Sequence, residues 1–230
     1  MTIQTMINTS VAAWEGWNSL GYDARLRILR HWADLLTPEC RAMVEFQCIH
    51  AKQHVATTAV LSGPTGETNE LYCAGRGCWV VTVDSDTSLV AVIGQLAAAL
   101  VTGNTVFVYL PRGYDLSANE LITQLEQCGC VGGVITAINN DQLADLVSHP
   151  TIAGVAYAGK RSTTLALARQ LAARDGQLAQ LISETDCELL PVIGSPTYSL
   201  HFVTERTRTN NITAVGGNAT LLELGSGERY

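Results

Sequence analysis

Three segments of this sequence hold residue types that could handle a bound group. Tyr157-Ala158-Gly159-Lys160-Arg161 ends an apolar run, turns at a glycine, places two cations and opens a helix. A helix start beside basic residues is a seat for phosphate, because its first N–H groups lack intrahelical partners. The same residues also suit a plain glycine turn with solvated basic side chains, and one glycine does not choose between the two. Asp84-Ser85-Asp86-Thr87-Ser88 follows another apolar run. Dinucleotide-binding turns carry glycines there so that backbone can approach the pyrophosphate; this turn offers two carboxylates instead. Glu184 follows a third run, at a place where a general base could sit. No cysteine follows Cys187 and His201 is the sole later histidine, so the acid has no evident nucleophile beside it.

Metal and thiol chemistry find less support. The seven cysteines are an odd number, which argues against a disulfide framework and for reduced thiols serving as small core residues. Cys128-Gly129-Cys130 is too tight for a C-x-x-C hairpin, and Cys73 and Cys78 lack a second pair. His50 and His54 share a helical spacing, but no Glu or Cys stands at ligand distance, so no metal is assigned. With 21 Asp+Glu against 14 Lys+Arg and a net charge of −7, the chain is a poor match for a nucleic-acid backbone. A 47% hydrophobic content over 230 residues can bury a sizeable core. The N-terminus lacks the features of a signal peptide, and Leu89 to Val101 is too short to span a bilayer. A soluble, cytoplasmic protein is the expectation.

The elements that would position these residues alternate along the chain. Residues 1–60 read as a helical segment, with Asp23 as N-cap of a helix from Arg25 and Pro38 restarting a second helix to about His54. Leu61 to Glu67 is a turn cluster and marks the boundary of a second region, 61–196. There the rhythm becomes strand and helix: strands at 78–83, 105–110, 133–136, 152–157 and 178–183, helices at 87–101, 117–127, 141–148 and 160–173. Ser117-Ala-Asn-Glu120 spells a capping box. Short apolar strands separated by helices imply a doubly wound, Rossmann-like α/β fold with a mostly parallel sheet. Residues 197–230 break the pattern. Strand character at 198–204 and 219–224, with a polar stretch between, suggests a C-terminal β-hairpin flap.

Several stretches resemble the aldehyde dehydrogenase superfamily. Leu96-Ala-Ala-Ala-Leu-Val-Thr-Gly-Asn-Thr-Val-Phe-Val108, Leu146-Val-Ser-His-Pro150 through Val155-Ala-Tyr-Ala-Gly159, and Ile182-Ser-Glu-Thr185 are similar to family segments and occur in the family's order. Gly63 to Asn69, Gly75-Arg-Gly77 and the closing stretch Glu205 to Leu222 resemble more narrowly the C-terminal, non-catalytic domain of long proline utilization A (PutA) proteins. Arg206, Thr207, Asn211, Ala214, Gly216, Gly217, Asn218, Ala219 and Leu222 match that closing motif, while Ile212, Thr213 and Val215 depart from it.

The resemblance implies an NAD-type domain with Glu184 at the general-base position and Gly159, Lys160 and Arg161 near the cofactor. Departures weigh against turnover. The family's ribose-contacting lysine falls at Tyr109 or Leu110, its ribose-binding acid near Gly113, its phosphate-side serine at Lys160, and its glycine pair at Asp186-Cys187. About forty-five residues follow Glu184, fewer than a second α/β domain needs, so the thiol-bearing domain is expected to be absent. What the resemblance implies is a non-catalytic module of proline catabolism. It would act in oligomerisation, as a dimer, or seal the intermediate cavity of a proline or pyrroline-5-carboxylate dehydrogenase partner through Arg206, Thr207, Asn211, Gly216, Gly217 and Asn218. The alternative is a residual NAD-binding protein of the same family.

Overall fold

A computed structural model describes residues 2–211. Helices α1 (Ile3–Ser19), α2 (Tyr22–Ala33) and α3 (Pro38–Val55) open the chain. The α3 start is as expected: the Thr37 hydroxyl accepts from the Cys40 N–H, and Pro38 fills the first turn. The α2 start differs. It begins at Tyr22 with Gly21, at φ 83°, in the cap position, and Asp23 lies in the first turn, where its charge faces the positive end of the helix. Tyr22 is drawn in because its ring is buried and its hydroxyl donates to the Cys48 carbonyl at 2.6 Å.

After β1 (Ala59–Leu61) and β2 (Glu67–Gly75) come the parallel strands β3 (Cys78–Val83), β4 (Thr105–Tyr109), β5 (Ile135–Ala137), β6 (Ile152–Ala158) and β7 (Gln180–Glu184). Their connections are α4 (Leu89–Val101), α5 (Ala118–Gln127), α6 (Asn140–Ser148) and α7 (Arg161–Ala172). The strand order is β5-β4-β3-β6-β7, every pair parallel, which is the doubly wound sheet expected. Its two faces follow from the period of two along each strand. Trp79, Val81, Val83, Val106 and Val108 pack toward the core shared with α2 to α5. Cys78, Val80, Phe107, Val155 and Tyr157 pack with Met6 and Ile7 of α1 and with Leu146, Leu167 and Leu171 of α6 and α7. Both α5 and α6 begin with capping boxes, Ser117 with Glu120 and Asn139 with Gln142. All seven cysteines are free thiols. Among the described residues no helix is long and apolar enough to cross a membrane.

The C-terminal part departs from the expectation. Tyr198 to Phe202 is a 3-10 turn, and the strand β8 runs Val203–Asn211, through residues expected to be a polar link. Tyr198 and Phe202 are buried and pack edge to face, with ring centroids 5.2 Å apart. β8 pairs antiparallel along the whole of β2, from Glu67 opposite Asn211 to Gly75 opposite Val203, and β1 covers the other edge of β2. The expected second hairpin strand, 219–224, lies outside the described residues.

The most enclosed helix is α4, buried from Ala91 through Val101. A helix end leaves four carbonyls without intrahelical donors, and these four lie deep in the protein. The following turn supplies three donors from main chain, the Thr102, Asn104 and Gly103 N–H groups to the Ala98, Ala99 and Leu100 carbonyls, and side chains complete the set. Thr102 Oγ1 donates to Ala98 and Ala99 at 2.7 and 2.9 Å. Trp17 Nε1 donates to Leu100 at 3.0 Å, and Arg25 Nε to Val101 at 2.9 Å. Asn104, fully buried, turns its carboxamide to Ala99 and to the Phe202 carbonyl at 3.1 and 3.0 Å, while its oxygen accepts from the Gly77 N–H at 3.0 Å. One side chain therefore ties α4, the start of β3 and the 3-10 turn together. Gly103, at φ 91°, makes this turn possible, since a Cβ would lie 2.7 Å from Asn18 Oδ1.

Removing the Asn104 carboxamide takes the acceptor from the Gly77 N–H and deletes the hydrogen bonds to the Ala99 and Phe202 carbonyls at once. Asn104→Ala is expected to cost about 3 kcal/mol of unfolding free energy, read from urea denaturation followed by tryptophan fluorescence. A loss below about 1 kcal/mol, the net worth of one ordinary hydrogen bond, would show that the node does not hold these elements together.

Candidate functional site

The strand order reverses between β3 and β6, so the crevice of a doubly wound sheet opens beyond their carboxyl ends. Asp84 follows β3 and Gly159-Lys160 follow β6, which brings the first two sequence-predicted segments together. Backbone fixes the juxtaposition. The Asp84 N–H donates to the Ala158 carbonyl at 3.0 Å, and Thr87 Oγ1 donates to the same carbonyl at 3.1 Å. Tyr114 caps the turn, its hydroxyl donating to the Asp84 carbonyl at 2.9 Å, and burial pushes its phenol up to about 12.

Lys160 is the cap residue of α7 and Arg161 its exposed first residue. The Lys160 N–H, which would hold a phosphate, donates to Asp84 Oδ2 at 2.9 Å. The Lys160 ammonium lies 3.5 Å from the Asp86 carboxylate. Asp86 is held below the usual carboxylate range, first by a hydrogen bond from Ser85 and then by Lys160. Gly159 is needed for close packing, since a Cβ there would press on the Tyr157 hydroxyl and lie 2.7 Å from Asp84 Cγ. Two cavities flank the turn. One of 320 Å³ is lined by Thr82, Tyr109, Asn140, Tyr157 and Thr163, and one of 160 Å³ by Asp86, Thr87, Gly159, Lys160 and Cys187. The Lys160 donors at the α7 start are taken up by the protein's own acids, and these residues do not fit a dinucleotide pyrophosphate.

Glu184, at the end of β7, is 2% exposed. Oε1 accepts from the Asp186 N–H at 3.0 Å, and Oε2 accepts from the Val192 and Ile193 N–H groups at 2.7 and 3.2 Å. The carboxylate thus anchors the loop after β7. Nothing in the sequence announces this, because its donors are main-chain groups of an irregular loop.

The closing-motif residues lie at the other end of the sheet. β8 leaves from Val203, where the Arg76 N–H donates to the Phe202 carbonyl just before β3 begins. Arg206 places its guanidinium 5.9 Å from the centre of the Trp14 ring on α1. Thr207 is exposed opposite Leu71, and Asn211 is opposite Glu67. Gly216, Gly217 and Asn218 lie outside the described residues. Arg208, not singled out from sequence, donates through Nε to Glu70 at 2.8 Å and sits over Tyr72. Thr209 Oγ1 donates to Asn69 at 2.6 Å. The alternation Arg206-Thr207-Arg208-Thr209 is the period-two signal that could have revealed this strand.

No family model matches the chain. A 1-pyrroline-5-carboxylate dehydrogenase of Bacillus subtilis (strain 168) is 28% identical over 135 residues, covering 56% of this chain and 26% of that protein. The bifunctional protein PutA of Rhizobium meliloti is 28% identical over 166 residues, covering 72% of this chain and 12% of that protein. The chain therefore spans about a quarter or less of the length of the curated relatives it matches. Among solved structures, a Bradyrhizobium japonicum PutA variant superposes with a TM-score of 0.73 at 25% identity, over 80% of this chain and 22% of that one. An aldehyde dehydrogenase from Brucella melitensis biovar abortus 2308 gives 0.64 at 21% identity, over 80% and 43%. Its sequence relatives are thus 1-pyrroline-5-carboxylate dehydrogenases and PutA, its structural neighbours are PutA and aldehyde dehydrogenases, and the chain is similar to the aldehyde dehydrogenase superfamily and, within it, to PutA.

Proposed function

We propose that this chain is a non-catalytic, aldehyde-dehydrogenase-type module of proline catabolism, the route from proline to glutamate through 1-pyrroline-5-carboxylate. It works by association, with a second copy of itself or with a proline or pyrroline-5-carboxylate dehydrogenase partner, in oligomerisation or in sealing the cavity that holds the intermediate. Residues 1–60 and 61–196 serve as helical segment and cofactor-type scaffold, and 197–230 as the docking flap. The observation that carries this reading is the state of Glu184. A general base needs a lone pair free to take a proton from a reacting group, and three backbone donors occupy both oxygens of this one.

The docking reading is supported by β8. Among the described residues it is an edge strand, and a strand edge gains main-chain hydrogen bonds when another sheet adds to it. Arg206 and Arg208 are held in place on one face of it by Trp14, Tyr72 and Glu70, so the strand enters an association already ordered.

Two outcomes follow. Glu184→Gln puts an amide donor against backbone donors and is expected to cost about 2 kcal/mol in urea denaturation; unchanged stability would return Glu184 to an acid–base role. A chain ending at Val203, which keeps the buried Tyr198 and Phe202, is expected to fold. It is also expected to lose the association that the full chain shows in light scattering and in pull-downs with a pyrroline-5-carboxylate dehydrogenase. Undiminished association of the shortened chain would overturn the docking role of β8 and the residues after it.

A further inference from the structure

The two cavities at the carboxyl ends of the strands share a single described lining residue, Asp84. On one side lie the hydroxyl and aromatic groups of Tyr109, Tyr157 and Thr163, and on the other the α7 start and Cys187. The carboxylate of Asp84 stands between them, held by the Lys160 N–H and packed against Gly159. The smaller lobe, the one at the Gly159-Lys160 turn, has 160 Å³, below the roughly 300–1,000 Å³ of small-molecule pockets. We propose that Asp84 is a built-in anion that closes this crevice to nucleotides: it takes the cap-residue N–H at the α7 start, sets a negative charge where a phosphate would sit, and lies between the two lobes a dinucleotide would span.

The proposal is independent of what β8 docks on, and rests on three features that meet at one side chain. The first is chemical, since a carboxylate satisfies a helix N-terminus as a phosphate does. The second is steric, because Asp84 lines both lobes, so shortening its side chain is expected to widen the space between them without altering the turn. The backbone of that turn is fixed separately, by the Asp84 N–H on Ala158, the Thr87 N–H on the Asp84 carbonyl, and Tyr114. The third is electrostatic. The Lys160 ammonium is paired with Asp86, so its charge is already balanced while Asp84 holds the N–H below it, and with Asp84 gone that N–H is released.

The test is thermal melting and isothermal titration of the full chain with NAD and with inorganic pyrophosphate, for wild type, Asp84→Gly and Asp84→Ser. Wild type is expected to show no saturable shift with either probe at millimolar concentration. Both variants are expected to gain a melting temperature that rises and saturates with NAD, with binding at least tenfold above wild type by titration, and a weaker response to pyrophosphate alone. Serine is included because it is itself a good capping residue and preserves the turn if glycine loosens it; the ligand-free melting temperature of each variant reports its folding. Saturable binding of NAD by wild type would overturn the proposal, as would a variant that melts cooperatively yet stays inert to both probes. Loss of the new binding on restoring the acid as Asp84→Glu completes the expected set, and its persistence there would equally count against a closing role for the charge.

Discussion

The fold depends on how the carboxyl end of α4 is satisfied. This helix is the most apolar of the chain and is covered on every side, which buries much apolar surface against the sheet but leaves its last carbonyls out of reach of solvent. An unpaired buried carbonyl costs about 1–3 kcal/mol; main-chain N–H groups of the next turn reach three of these four, and the Val101 carbonyl relies on Arg25. The donors come from far apart in sequence: Thr102 and Asn104 locally, Trp17 from α1 and Arg25 from α2. Arg25 also donates to the Trp17 and Asn18 carbonyls, at 3.1 and 2.8 Å, and burial lowers its guanidinium to about 10. It stays charged at neutral pH, and a cation is well placed at the negative end of a helix. The N-terminal helices are therefore part of the hydrogen-bond network on which the sheet domain relies.

Through Asn104 the same constraint sets the direction of the three-stranded sheet. Its carboxamide holds the Phe202 carbonyl, and the chain leaves that point directly into β8. Phe202 in turn stacks on Trp79, with ring centroids 4.5 Å apart, on the face of β3 that α4 covers. The flap is thus fixed at the amino-terminal ends of the parallel strands. The crevice lined by Asp84, Lys160 and Cys187 opens at their carboxyl-terminal ends. Association at one end and a ligand at the other would be separated by the length of β3, about 20 Å at the usual rise per residue.

Much of this was legible where burial is two-sided. Cys78 to Val83, Thr105 to Tyr109 and Ile152 to Ala158 are largely apolar runs because both faces of the sheet are covered, and Ser117 with Glu120 announces a helix start through purely local chemistry. β2 was not legible. Glu67-Thr-Asn-Glu-Leu-Tyr-Cys-Ala-Gly75 is half exposed, and what makes it a strand is a partner well over a hundred residues away: Glu70 meets Arg208, and Asn69 meets Thr209. Cross-strand pairs of this kind stabilise a sheet, and they left no period-two pattern in β2, although β8 carries one. The site divides the same way. Two acids in place of glycines could be read from Asp84-Ser85-Asp86, but that one acid turns onto the α7 start and the other onto the Lys160 ammonium depends on the β3–β6 register.

The two acids near the carboxyl ends of the strands are both turned inward. A carboxylate enclosed as deeply as Glu184 needs hydrogen-bond donors, and three backbone N–H groups supply them. At the α7 start an internal carboxylate, Asp84, holds the Lys160 N–H, and a tethered anion has the advantage over a free one that it loses no entropy of association. Both groups therefore add rigidity at this end of the sheet. At the opposite end, β8 keeps an edge with main-chain donors and acceptors along it. Physical capacity for new interactions in the described chain lies there, and it is the end that α4, Asn104 and Phe202 hold most firmly in place.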